Sequence, residues 1–256
     1  TEPQKTQRRL ALEITGIFLL IALAFGAATA GGAFLYRTLY SPSAFVTRYL
    51  DLLAAGRAAD ALALPGVAVD AVSLADRGLD PTVSDALLRQ AALSSLSNVS
   101  VVSEETNGDI TRVTVAYVAG GHEGKSTFEV ATNGWLGVAP TWRFASSPLG
   151  VVNVAVNGSM QFDVNGFGLD KRQVSALGVD ADPQASVPFL VFSPGLYSVS
   201  VDTPVSATPG ISVLMDAAEN DLPVTLQAKP TDEFIAVVQD RVDAFLDGRA
   251  AQQVLQ

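Results

Sequence analysis

The chain of 256 residues contains no cysteine and a single histidine, His122. Without thiols it has no disulfide, cysteine nucleophile, zinc ribbon or iron–sulfur cluster within this stretch, and one imidazole excludes a multi-histidine metal site. Basic residues are also scarce. Sixteen Lys and Arg face 26 Asp and Glu, a net charge of -10. The longest basic runs are the pairs Arg8-Arg9 and Lys171-Arg172. A phosphate backbone needs a dense basic patch, so nucleic acid is excluded as a partner. No Gly-x-Ser-x-Gly nucleophile elbow occurs. No catalytic residue, cofactor or metal site is expected.

What the sequence does have is a long uncharged run. From Ile14 to Leu35 there is no charged residue, matching the roughly 20 residues that cross a hydrocarbon core of about 30 Å. Lys5, Arg8 and Arg9 precede the run and Arg37 follows it. The positive-inside rule therefore places the N-terminus in the cytoplasm and the remainder outside, as a single-pass cell-membrane protein with Tyr36 and Tyr40 as interfacial anchors. A cleaved signal peptide is the competing reading, because Ala28-Thr29-Ala30 has the small-x-small form of a cleavage site. The apolar run continues past that site, which favours a retained anchor. Gly26, Ala27, Ala30 and Gly31 would let two such segments approach closely, admitting a homo-oligomer, although this spacing is common in membrane helices.

Beyond Ser41-Pro42, the spacing of Phe45, Tyr49, Leu52 and Leu53 predicts a helix up to Gly56. A short second helix, Ala58 to Leu64, stops at Pro65-Gly66. Val67, Val69 and Val72 suggest a short strand. Thr82 and Asp85 form a capping box ahead of a third helix, Ala86 to Leu93. Four strands are then predicted at Asn98 to Glu104, Ile110 to Val118, Ser126 to Thr132 and Thr141 to Ala145, with Asn107-Gly108 as a hairpin turn. Helices followed by an antiparallel meander predict an α+β unit.

From Leu149 the pattern changes to short strands and turns. Val151 to Val156, Asn157-Gly158 and Met160 to Val164 read as a hairpin, followed by strands at Val187 to Phe192, Tyr197 to Val201, Ile211 to Met215 and Val224 to Ala228. The final segment echoes the first helices. Ala44 to Ala63 aligns with Ala236 to Leu255, matching Asp51 with Asp243 and Gly56-Arg57-Ala58-Ala59 with Gly248-Arg249-Ala250-Ala251. This suggests a duplicated domain that begins near Thr231 and is cut off. Chance similarity of two Ala-rich helices is the alternative.

The order of elements in 42–148 resembles the cone-shaped fold of the nuclear transport factor and SnoaL-like superfamily. The segment holding Val156-Asn157-Gly158 and Phe192-Ser193-Pro194-Gly195-Leu196-Tyr197 resembles PEGA-like β-sandwich modules. With the segment Phe45 to Arg57, the whole order resembles the TcaA-type membrane proteins, a family associated with the bacterial cell envelope and with glycopeptide susceptibility. The resemblance implies a cytoplasmic stub (1–13), a transmembrane helix (14–36), a cone-like α+β domain (42–148), a small all-β module (149–230) and the first helices of a second cone-like domain (231–256). Members often carry a cysteine zinc ribbon before the anchor, and none stands in this sequence.

Several constellations have bland alternatives. Ala119-Gly120-Gly121-His122-Glu123-Gly124-Lys125-Ser126 satisfies a relaxed nucleotide-loop pattern. A phosphate loop must enter a helix, whereas Thr127 to Thr132 is strand-like, so a hairpin loop with a solvated His122 is expected. Asp163-Val164-Asn165-Gly166 lacks calcium-loop spacing and reads as a turn. Asn98-Val99-Ser100 and Asn157-Gly158-Ser159 match glycosylation sequons, by chance in the bacterial chain that the resemblance implies. Tyr49, Tyr117, Phe128 and Trp142, with Phe144, either line the mouth of a cone pocket or form its packed core.

The function expected is that of a non-enzymatic, membrane-anchored extracytoplasmic protein binding a wall component or a partner protein. One alternative is an assembly component resembling the cone-domain proteins of type IV secretion or conjugation machines; a remoter one is an enzyme using the cone pocket. Setting aside Glu2, Glu13, Lys5, Arg8 and Arg9 leaves 13 basic against 24 acidic residues outside, a net charge of -11. Such acidity disfavours an anionic wall polymer and favours neutral or cationic ligands, or proteins.

Overall fold

A computed structural model describes residues 39–253 apart from 77, 80–81, 138 and 219–220. Helix α1 (Pro42–Ala54) starts where Ser41 accepts a hydrogen bond from the Ala44 amide and proline fills the first turn. It ends before Gly56, whose φ of +71° reverses the chain. Val46, Tyr49, Leu50 and Leu53 are its buried stripe. Helix α2 (Ala58–Leu62) stops before Pro65-Gly66. A Cβ on Gly66 would lie 2.3 Å from the Phe144 carbonyl oxygen, so only glycine fits this turn. Helix α3 (Ala71–Asp76) takes in Val72, leaving it exposed where a strand was expected.

The chain then forms an antiparallel meander of β1 (Leu96–Asn107), β2 (Ile110–Ala119), β3 (His122–Leu136) and β4 (Ala139–Phe144). Val113, Val115 and Tyr117 of β2 turn inward to the core that α1 helps cover, while Arg112 and Thr114 face water. On the wet face Arg112 pairs with Glu129 at 3.1 Å and Thr114 with Thr127 at 2.9 Å. This alternation belongs to a sheet with one dry face.

The remaining strands form two sheets. One has the order β12 (Lys229–Pro230), β10 (Ser206–Met215), β9 (Gly195–Asp202), β6 (Gln161–Val164), β7 (Phe167–Asp170). The other is β11 (Asp221–Gln227), β5 (Leu149–Asn157), β8 (Val187–Phe192), with β5 parallel to β11 and antiparallel to β8. Short helix α4 (Lys171–Val174) follows β7. The three-stranded sheet is dry on both faces where the first half of β5 pairs with the end of β8, while β11 turns Pro223, Thr225 and Gln227 to water. Leu149, Val151, Leu190 and Phe192 join the core under α1, whereas Val152, Val154, Val156, Phe189 and Val191 join a second core against the five-stranded sheet. That is why β5 and β8 read as nearly continuous apolar runs. The two cores meet at this shared layer.

The expectation of an α+β fold class is overturned, because the described residues are 46% strand and 26% helix. The expected third helix, Ala86 to Leu93, is a chain of turns with one 3-10 turn at Gln90–Ala92. Tertiary pairing wins over its helical pattern. The Ser84 amide donates to Pro188, the Leu190 amide donates to Ser84, and Leu87 and Ala92 sink into the second core. Asn157-Gly158 joins strands of different sheets rather than a hairpin. Helix α5 (Asp232–Gln253) runs straight through Gly248 without the break seen at Gly56. The cytoplasmic stub and the expected transmembrane helix, 14–36, lie outside the described residues. Among the described residues no helix is long and apolar enough to cross a membrane.

Candidate binding surface

The aromatic residues singled out in the sequence do not share an opening. Tyr49 and Phe128 interlock with Phe45 and Phe144, with ring centroids between 5.0 and 6.0 Å. The Tyr49 hydroxyl donates to the Ser193 carbonyl at 2.9 Å, and burial pushes its pKa well above the usual tyrosine value. Tyr49, Phe128 and Phe144 belong to the core under α1, and Phe45 packs against it. Tyr117 lies elsewhere, against Gly124, where an added Cβ would stand 2.6 Å from its hydroxyl. Ser126 Oγ sits 3.2 Å from that hydroxyl and donates to the Asp216 carbonyl at 2.5 Å. Half-buried Trp142 lies at the start of α1, its indole N–H donating to Tyr40 at 2.8 Å.

The other sequence candidates resolve into local structure. Gly120 and Gly121, both with positive φ, form the two-residue turn between β2 and β3, and His122 stands exposed at its end. No helix follows to receive a phosphate. Asn165-Gly166, both with positive φ, closes the β6–β7 hairpin. The Asn165 side chain donates to Ala92 and Leu196 and accepts from the Ser198 amide. It fastens the β6–β7 hairpin to β9 and to the segment that leads into β1.

Two shallow hollows flank the sandwich and the meander. One of about 310 Å³ is lined by Asp163, Asp170 and Asp202 among others. Arg172 grips Asp170 at 2.9 and 2.5 Å and holds its pKa down at about 2. The other, about 410 Å³, lies beside Tyr117 and is bordered by Asn98, Glu123 and Lys125. Among the described residues no group of three acidic or histidine side chains is arranged to hold a metal ion. Lys171 is fully buried and donates to the carbonyls of Val156, Pro183 and Ala185. Burial lowers its pKa, and Asp182 offsets part of that shift. Its three acceptors make it a structural cross-link.

Helix α5 is different, because its apolar side is open. At 3.6 residues per turn, Phe234, Ile235, Val238, Val242, Phe245 and Leu246 fall within an arc of about 120°. They are between 39% and 62% exposed. Arg249 continues the stripe, its guanidinium 5.3 Å from the Phe245 ring centroid. Asp232, Glu233, Asp240, Asp243 and Asp247 occupy the opposite arc. Sequence reasoning missed this surface by reading the segment as a repeat; the i, i+3, i+4 spacing of residues 234–246 was its signal. No family model matches the chain, and no curated protein or solved structure matches it.

Proposed function

We propose that this chain is a non-enzymatic binding protein of the bacterial cell envelope, held at the membrane through residues 14–35, that docks a partner protein through α5. The exposed apolar stripe of α5 carries this reading. Contiguous apolar surface rimmed by polar residues marks an interaction site. The partner is a protein because the polar side of α5 is acidic, whereas helices that lie on anionic lipid present Lys and Arg there. The excess of acids also disfavours an anionic wall polymer. The uncharged run at 14–35, preceded by Lys5, Arg8 and Arg9, supports the envelope placement. A photo-crosslinking residue at Val242 in the full chain, activated in membranes, is expected to capture an envelope protein. Ile235→Asp in the same chain should abolish the adduct. Absence of an adduct, or one indifferent to Ile235→Asp, would overturn the docking role. Capture of secretion-machine subunits would instead favour a place in a type IV assembly.

A further inference from the structure

The β3–β4 hairpin carries a second exposed apolar feature. Trp135 is 71% exposed and Leu136 73%, the pair standing between Gly134 and Gly137 at the hairpin end. Trp is ordinarily buried on most of its surface, so this exposure calls for an occupant. The surrounding sequence has an unusual composition. In a chain with 26 acidic residues, none of the positions between Glu129 and Arg143 carries a charge.

The fold also fixes where this hairpin end lies. Trp142 of β4 donates to the Tyr40 carbonyl at 2.8 Å, which ties β4 to the entry of α1. Moving along α1, Phe45 meets Phe144 and then Tyr49 meets Phe128, so the helix runs away from the hairpin end. The pair Leu136 and Ala139 is three residues beyond Trp142, or about 10 Å at a strand rise of 3.4 Å. Leu39 and Tyr40, 62% and 43% exposed, lie on that same side. The uncharged run 14–35 stops five positions before Tyr40. Trp and Tyr are the residues that settle at a membrane–water interface, with the ring body in the apolar zone and the polar edge wet.

We infer that Trp135 and Leu136 dip into the headgroup region of the same bilayer that holds residues 14–35, giving the folded part a second contact with the membrane. The inference rests on the membrane-anchored reading for its orientation. The surface it selects is zwitterionic, because Glu104, Glu105 and Asp109 flank the neighbouring β1–β2 turn, whose Ile110 pairs with Ala131. The two contacts then fix the tilt of the module and leave α5 free for its partner.

The test uses the full chain in phosphatidylcholine vesicles. The protein has two tryptophans, so the difference between wild type and Trp135→Phe isolates the Trp135 emission. That emission is expected to shift to the blue, to lose intensity with lipid brominated near the headgroup, and to resist aqueous acrylamide. Leu136→Asp should reverse all three while the chain still floats with the vesicles. A floating chain whose Trp135 is open to acrylamide and indifferent to brominated lipid overturns the contact and leaves the anchored reading standing. Trp135 shielded from acrylamide yet not quenched by lipid means that protein covers it, which also overturns the contact. A chain that does not float overturns both.

Discussion

The four-stranded meander and the three-stranded sheet of β5, β8 and β11 share one core yet differ in what their other faces meet. The meander turns Arg112, Thr114, Thr127 and Glu129 to water. The three-stranded sheet turns Val152, Val154 and Phe189 into a second core. A sheet with a wet face tolerates change on that face, whereas the β5–β8 pairing, dry on both sides, transmits any loss of packing to two cores. The middle layer should therefore make the two halves melt together. The exposed apolar surfaces, α5 and the β3–β4 end, lie outside both cores, where binding does not compete with packing.

The largest effect is expected in the shared layer. Phe192 is fully buried under α1, and Phe192→Ala should cost about 3–5 kcal/mol. If the halves are one cooperative unit, urea unfolding followed by tryptophan emission, which reports the meander, will coincide with that followed by far-ultraviolet circular dichroism. Two separated transitions would break the comparison. The next effect belongs to the Asn165 staple, which ties the β6–β7 turn to β9 and to the segment ahead of β1. Asn165→Ala removes two donors and an acceptor and places alanine at φ +51°. A loss of about 2–3 kcal/mol is expected from the groups left unpaired and the strained backbone, read as a lower urea midpoint.

A smaller, pH-dependent effect belongs to Asp170 in the outer sheet of the sandwich. Its folded pKa of about 2 lies below the ordinary 3.8, chiefly through the side-chain hydrogen bonds from Arg172. The unfolded state binds the proton first, so this stabilisation is present above about pH 3.8 and is lost as pH falls towards 2. Asp170→Asn should lower the urea midpoint at pH 7 and converge on wild type at pH 2; equal differences at both pH values would refute the linkage. The smallest effect is expected on the wet face. Arg112→Ala removes an exposed ion pair and should cost no more than about 1 kcal/mol, screened further by salt. A loss comparable to that of Phe192→Ala would erase the distinction between the two sheets.

Much of the strand pattern was legible because strands write themselves in short-range alternation. Ile110 to Val118 alternates, Asn107-Gly108 turns, and β2 follows almost as drawn. Helix α1 was equally readable from Phe45, Tyr49, Leu52 and Leu53, with Ser41-Pro42 as its start. The run Ala86 to Leu93 carried the same local signals and is not a helix, since Ser84 pairs beside β8 and Leu87 is taken by a core built from residues about 65 to 140 positions later. Asn157-Gly158 failed for a related reason. Its turn chemistry was right, but β5 found its partners in β8 and β11.

The candidate surfaces were less legible still. Tyr49, Tyr117, Phe128 and Trp142 announced aromatic chemistry, yet whether such rings line an opening or fill a core depends on neighbours from distant segments, here Phe45, Phe144 and Ser193. Lys171 gave no sign of burial, because the carbonyls that hold it come from Val156, Pro183 and Ala185.

The scarcity of thiols and imidazoles, the acidic charge, the uncharged run at residues 14–35 and the positions of most strands can be read along the chain, because composition and period are local properties. It took the contacts between distant segments to bury the β5–β8 pairing on both faces, to fasten Asn165 to Ala92 and β9, and to leave some apolar residues in water. Burial is a property of pairs of segments, and no period along one segment states what will come to cover it.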